Sequence, residues 1–390
     1  MKLGFMGSGA IMPVALAAVS QVPFWEKEAL WVRPHSAARG HALAEHYGIR
    51  KVYTDLDGFL EDPEIETVYI ALINPVHGAY ARKALLHGKN VLLEKPFTTS
   101  WKEARELAAL ARVKGLYLLE AMPLWHSPVF ARVRELVPTL GKLRLIQCNY
   151  SQYSSRYDAY RKGQVLPAFD PALYGGALYD LNVYNLDFAL ALLGRPEAVS
   201  YHANRGWNGV DTSGVLVLEY PDCRAELTAA KDSDSPGFLQ VQGEKGWLRV
   251  DGKPIHMENV TWQYTQGPDQ DQFSTGKTVE KALELHTAHA PKETNRMVPE
   301  FREYARIIGG EWSGEAQECL EWSLWEAEIL EKIGKRLKKG GCEKIFFHPP
   351  SLVTSRWKPA DAGKIKALWM ISPPLFSIPA VSSGLPCLFR

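Results

Sequence analysis

The chain has 390 residues, 46% hydrophobic and 23% charged, with 45 Lys and Arg against 44 Asp and Glu for a formal net charge of +1. That length calls for two domains, and the even charge offers no basic face for nucleic acid and no acidic block of the disordered kind. No apolar run reaches the roughly 18 residues that a membrane span needs, and the five scattered cysteines, odd in number and never in a CxxC pair, read as reduced thiols of a cytoplasmic protein.

The sequence enters an apolar strand at once, KLGFMG, which leaves no room for a signal peptide. A helix pattern follows to about Val22, then a second strand in EALWVR and a helix in SAARGHALAEHYGI that stops at Gly48. KVYT is a short strand and LDGFLEDPEI a short helix and turn. TVYIALI is the next strand, VHGAYARKALLHG a helix closed by Gly88, and NVLLEKP a strand. SWKEARELAALARVKG is a helix capped by Ser100 and closed by Gly115, and YLLEAM is the last strand of the series. Strands alternating with amphipathic helices mean parallel βαβ units and an α/β, doubly wound parallel sheet over residues 1–122.

From residue 123 to 341 the pattern changes to an α+β domain with an open, mainly antiparallel sheet. A helix around PVFARVRELV precedes the strand-like runs KLRLIQCNYSQY, AVSYHANR, DTSGVLVLEY, CRAELTAAK, FLQVQGEKGWLRVDG and VTWQY. The helix GALYDLNVYNLDFALALLG interrupts them, and VPEFREYARIIGG and the Trp-rich EAQECLEWSLWEAEILEKIGKRLKKGG close the region. The Trp stripe of that last helix reads as a core or dimer face. Residues 342–390, rich in Pro and Ser without a period, read as an irregular, poorly ordered tail.

The first strand runs into GSGAIM, so Gly7 and Gly9 stand where a dinucleotide fingerprint requires them, between a strand and a helix. Gly7 allows the tight turn, and Gly9 lets the backbone of Ser8, Ala10 and Ile11 approach a pyrophosphate at the helix N-terminus. Met12 takes the place of the third small residue, which implies looser helix–strand packing there. No acid stands at the C-terminal end of the second strand, since Glu26 and Glu28 lie at its other end. That position carries Arg33, with Ser36 close by, which suits the 2′-phosphate of NADP, so NAD(P) is the expected cofactor with NADP preferred.

Ligands of open α/β sheets bind beyond the carboxyl ends of the strands. INPVH, with Asn74 and His77, and EKPF, with Glu94, Lys95 and Pro96, end two such strands. Lys95 therefore lands at the same sheet edge as the glycine loop, where an X–Pro bond also makes a cis peptide affordable. In YGGALYDLNVYNLDFALALLG, Asp180 and Tyr184 lie one turn apart on one helix face. A Tyr near a Lys and a carboxylate can relay protons in carbonyl reduction or alcohol oxidation. A packed core tyrosine is the competing reading. The histidines lack ligand spacing, so no metal is expected.

Together the GSG loop, the INPVH turn, GKNVLLEKPF and GGALYDLNVYNLDFALALLG resemble the Gfo/Idh/MocA oxidoreductase family over roughly residues 1–335. The resemblance implies that Lys95 of the EKP motif contacts the nicotinamide ribose and supports catalysis, and that Asp180 and Tyr184 line the substrate site. Tyr in place of the His that many members carry is similar to the dihydrodiol dehydrogenase and glucose–fructose oxidoreductase-like branches. It implies Tyr184 as the proton donor or acceptor, with His77 shaping the cofactor loop. It also implies a sheet that covers the cleft with one face and joins a homodimer or homotetramer with the other. Tyr153, Arg156 and Tyr157, in the Tyr- and Arg-rich SQYSSRYDAYRKG, become candidate contacts to a sugar, polyol or diol. The expected activity is an NAD(P)-dependent dehydrogenase or reductase acting on CH–OH groups. A non-catalytic NAD(P) sensor on the same scaffold is the alternative.

Overall fold

The computed structural model describes residues 1–265, 284–291, 295–310, 313–338 and 344–347. Its first layer alternates β1 (Lys2–Met6), α1 (Ile11–Val19), β2 (Glu26–Trp31), α2 (Ala37–Tyr47), β3 (Lys51–Tyr53), α3 (Leu56–Glu61), β4 (Thr67–Ile70), α4 (His77–Leu86), β5 (Asn90–Glu94), α5 (Trp101–Lys114) and β6 (Leu118–Ala121). The strands lie in the order β3-β2-β1-β4-β5-β6, every pair parallel. Helices cover both faces, which is why β4 and β6 are buried at every residue. Ser100 caps α5 through Glu103 N, and α2 and α5 stop at Gly48 and Gly115 as read from the sequence. The order reverses between β1 and β4, and the crevice there lies beside the ends of β1, β4 and β5.

The chain continues through α6 (Pro128–Leu136), β7 (Leu143–Ser151), α7 (Tyr157–Arg161), α8 (Val183–Leu193), β8 (Ala198–Arg205), β9 (Asp211–Glu219), β10 (Arg224–Ala230), β11 (Phe238–Gly243), β12 (Gly246–Lys253), β13 (His256–Tyr264), β14 (His286–His289), α9 (Val298–Ile308), α10 (Ser313–Lys338) and β15 (Ile345–Phe346). The second sheet has the order β14-β13-β12-β11-β7-β10-β9-β8-β15 and is antiparallel except where β7 meets β10. The parallel pair arises because β8, β9 and β10 return from the edge inward, and the third of them reaches β7. FLQVQGEKGWLRVDG, read as one run, folds back on itself as the β11–β12 hairpin, with Gly243 paired to Gly246 across the Glu244–Lys245 turn.

One face of this sheet packs on α6, α8 and α10 through a core that includes Phe130, Phe188, Leu227, Leu248 and Trp322. Cross-strand register puts Leu145, Gln147, Arg224, Glu226, Gln240, Gln242, Trp247 and Arg249 together on the other face. Helix α9 returns to the first sheet, where Phe301 packs against Tyr69 at a ring distance of 5.5 Å and accepts a 2.8 Å bond from Trp25 Nε1 at its carbonyl. Helix α10 contacts α5 and β6 on one side and α8 on the other. Trp322 meets Trp125 at 5.2 Å, so the Trp stripe is used in the core. Within the tail, Ile345 and Phe346 pair with β8 as an edge strand. Residues 342–343 and 348–390 of that tail lie outside the described residues.

Candidate active site

Gly7 ends β1 with φ at +110°, and a Cβ there would collide with the Ala71 carbonyl oxygen, so only glycine fits. Gly9 is exposed, and a Cβ on it would meet nothing within 4 Å, which leaves open the space a pyrophosphate would fill. Helix α1 starts after Ala10 with no side-chain cap, so its first N–H groups, toward Ile11, stay available to an anion. Met12 is fully buried among Leu3, Phe5 and Leu16. The larger side chain thus fills the helix–strand gap and corrects the expectation of looser packing. Beyond β2, Arg33 is exposed, makes no ion pair among the described residues, and stands near half-buried Ser36. An open glycine loop, an uncapped helix start and an uncompensated cation fit a phosphorylated dinucleotide.

The ends of β4 and β5 are tied together by His77. Its buried ring lies 3.0 Å from the Pro96 carbonyl through Nδ1 and 3.1 Å from the Leu72 carbonyl through Nε2. Burial pushes its pKa down, so the neutral ring spans the two segments and donates through one nitrogen. Asn74 Nδ2 donates to the Tyr174 carbonyl at 3.2 Å, which links the same turn to the opposite wall of the cleft. The Lys95–Pro96 peptide is cis. Glu94 is buried and accepts a 2.5 Å bond from Tyr69 Oη; burial raises its pKa, and the tyrosine bond opposes the rise. The charge that ends β5 before Lys95 thus has a partner of its own.

Asp180 reaches Lys95 from the second layer. The chain there opens with a π turn over Leu178–Asn182 before α8, a wide turn of the kind found where side chains must be re-aimed. Gly176, at φ +113°, leaves space for Asp211, whose Oδ2 accepts from Leu178 N at 2.6 Å and Tyr201 Oη at 2.7 Å. That buried carboxylate pins the start of the turn, and burial pushes its pKa up to about 6. Lys95 Nζ donates to Asp180 Oδ1 at 3.1 Å and to the Asp180 carbonyl at 3.0 Å. It also stands 4.9 Å from the centre of the Tyr184 ring.

Burial opposes the Lys95 charge, but Tyr184 and Asp180 outweigh it and raise its pKa above the ordinary lysine value. Burial likewise disfavours charge on Asp180, yet Lys95 and Lys231 hold it well below the usual carboxylate range. The Tyr184 hydroxyl is pushed up to about 12 by burial, against the pull of Lys95. It makes no hydrogen bond among the described residues, and the Tyr150 ring packs on its own at 5.8 Å. The adjoining cleft is lined by Ile73, Asn74, Lys95, Pro167, Tyr174 and Asp180.

Tyr153, Arg156 and Tyr157 are placed one loop further out. Tyr153 Oη donates to Asp158 Oδ1 at 2.7 Å, Arg156 is exposed, and Tyr157 packs against Tyr160 and Phe169. Sequence reading missed Lys231, Asp211 and Tyr150. Lys231 carried the same signal as Lys95, a lysine at the end of an apolar strand, but nothing local says what it faces.

Residues 1–121 match the oxidoreductase family model with an NAD-binding Rossmann fold, and residues 130–249 match the Gfo/Idh/MocA C-terminal domain. The chain belongs to the Gfo/Idh/MocA oxidoreductase family. This oxidoreductase is 30% identical to the scyllo-inositol 2-dehydrogenase (NADP(+)) IolU of Bacillus subtilis over 86% of the chain and 97% of that protein. It is 29% identical to the trans-1,2-dihydrobenzene-1,2-diol dehydrogenase of Sus scrofa over 64% of the chain and 74% of that protein. Among solved structures, KijD10, a 3-ketoreductase from Actinomadura kijaniata, superposes with a TM-score of 0.69 at 22% identity, covering 85% of this chain and 96% of that one. That likeness establishes the shared two-sheet architecture of this Gfo/Idh/MocA chain.

Proposed function

We propose that the protein moves a hydride between nicotinamide C4 and a carbinol carbon of a sugar, polyol or diol, with the hydroxyl proton passing to or from Tyr184. The observation that carries this reading is the convergence of Lys95, Asp180 and Tyr184 at the end of β5, beside the glycine loop. The dinucleotide, when bound, supplies the hydride acceptor or donor. Gly7, Ser8, Gly9, Ala10 and Ile11 would hold its pyrophosphate, while Asn74, His77, Glu94 and Pro96 frame the reacting end. Arg33 and Ser36 favour the 2′-phosphate, in keeping with the NADP(+) in the name of the IolU relative.

The Lys95 ammonium lowers the proton affinity of the Tyr184 hydroxyl against the effect of burial. That brings the phenol closer to the range in which it can exchange a proton with a substrate hydroxyl. Asp180 holds Lys95 in place through two bonds and keeps its ammonium charged. Tyr153, Arg156 and Tyr157 would meet the parts of a larger substrate that extend out of the cleft.

The test is fluorescence titration with NADPH and NADH. Turnover of scyllo-inositol and trans-1,2-dihydrobenzene-1,2-diol is then followed at the nicotinamide absorbance. Lys95→Ala and Tyr184→Phe are each expected to cut turnover by on the order of a hundredfold or more. Wild-type rates in both variants would return these residues to structural roles. Cofactor binding with no turnover of any polyol or diol would favour the nucleotide sensor.

A further inference from the structure

Lys231 follows the last residue of β10 and is only 2% exposed. A lysine this deep is rare unless it is paired. Its ammonium is held on several sides: Nζ donates to Asp180 Oδ2 at 2.6 Å and to the Ala168 carbonyl at 2.8 Å, and it stands 4.8 Å from the Phe169 ring centre. Its backbone is held as well, with N donating to Thr212 O at 2.8 Å and O accepting from Ser154 N at 2.9 Å. The side chain is nearly inaccessible and its two hydrogen bonds go to Asp180 and Ala168, so any part it takes in the reaction runs through Asp180 and the cleft wall at Ala168.

We propose that Lys231 is a positioning residue that holds one oxygen of Asp180, leaves the other to Lys95, and anchors the Pro167–Ala168 wall of the cleft to the same point. The inference rests on the reading above, in which Lys95, Asp180 and Tyr184 form the reacting site. Asp180 then sits between two ammonium groups, 3.1 Å from Lys95 and 2.6 Å from Lys231. Removing Lys231 leaves the whole carboxylate charge to Lys95 and frees the carboxylate to rotate. The more negative field raises the pKa of both Lys95 and Tyr184. An ion pair that served only the core would affect melting and nothing else.

Lys231→Met removes the charge with little change in shape. With NADP+ and scyllo-inositol as the probes, kcat should fall by about 10- to 100-fold from misplacement of the reacting groups. The alkaline limb of the kcat/KM profile should move to higher pH. A crystal structure of Lys231→Met should show the Asp180 carboxylate turned toward Lys95 and the Ala168 carbonyl displaced; this readout needs no turnover. Should Lys231→Met fail to fold, Lys231→Gln, which is uncharged but still polar, must show the same turn of Asp180 toward Lys95 and the same move of the alkaline limb. An unmoved pH profile together with Asp180 and Ala168 in their original places overturns the assignment. If Lys95→Ala and Tyr184→Phe retain full turnover, the reading of the site fails. If they abolish turnover while Lys231→Met changes neither profile nor geometry, only the role of Lys231 fails.

Discussion

At Lys95 and Arg33, two cations on the same sheet edge meet opposite surroundings. Lys95 is largely enclosed and kept charged by Asp180, while Arg33 stands exposed with no ion pair among the described residues. A fork of guanidinium donors left unpaired at the end of β2 is suited to a phosphate, and a hydrogen bond to a charged group contributes about 1.5–3 kcal/mol. Arg33→Ala is therefore expected to weaken NADPH binding by about tenfold or more and leave NADH binding nearly unchanged; equal losses for both, measured by fluorescence titration, would count against NADP preference. Both lysine and arginine could be picked out from the sequence because strand-then-loop order fixes which edge they occupy. Glu94 could not be explained that way: its partner Tyr69 lies on the neighbouring strand, and only the pairing of β4 with β5 brings them together.

At the scale of elements, α10 joins the two layers by an unusual contact. Glu326 on α10 is grouped with Glu120 on β6 and Asp187 on α8, and its Oε1 accepts from Phe97 N at 3.3 Å, while both carboxyl oxygens of Glu120 and of Asp187 are buried without a hydrogen-bond partner among the described residues. Ser323 also faces Glu120. Burial first, and then the neighbouring carboxyl, pushes all three well above the usual carboxylate range. Acids raised in the folded state support the fold fully below their unfolded pKa, and that support is lost as pH climbs beyond it, because the unfolded chain ionises first. Melting temperature should accordingly fall as pH rises above about 5, past the unfolded carboxylate values, and Glu326→Gln should flatten that fall. The same slope in the variant would exclude the cluster as its source. The periodicity of α10 was readable, with Trp322 on its buried face, but the carboxyl contact needed three distant segments in place.

For the whole molecule, the second sheet presents a face that no helix of the first layer covers. Leu145 is exposed there, and Trp247 is half-buried beside Gln242, to which it is cross-strand paired. We propose that this face joins copies of the chain. Light scattering coupled to size exclusion should show a dimer or tetramer, and Trp247→Glu should shift it toward monomer; a wild-type monomer at micromolar concentration would remove the idea.

The order of elements in the first layer, its parallel sheet, the glycine loop and the strand end that delivers Lys95 were determined by the sequence alone. They depend on local periodicity, on glycine and proline backbone limits, and on the rule that strand ends gather at one edge. Local pattern also placed Asp180 and Tyr184 close together on one helix, whereas the structure puts Asp180 in the π turn that opens α8. That pattern could not tell a hairpin from a single strand in residues 238–253, nor foresee the parallel β7–β10 pair, because those are choices among non-local partners. Only the tertiary structure brought Lys231 from the end of β10 onto Asp180 and placed Asp211 beneath Gly176. Each is an ionised or polar group buried by segments far apart in the chain, and its partner is set by packing rather than by spacing.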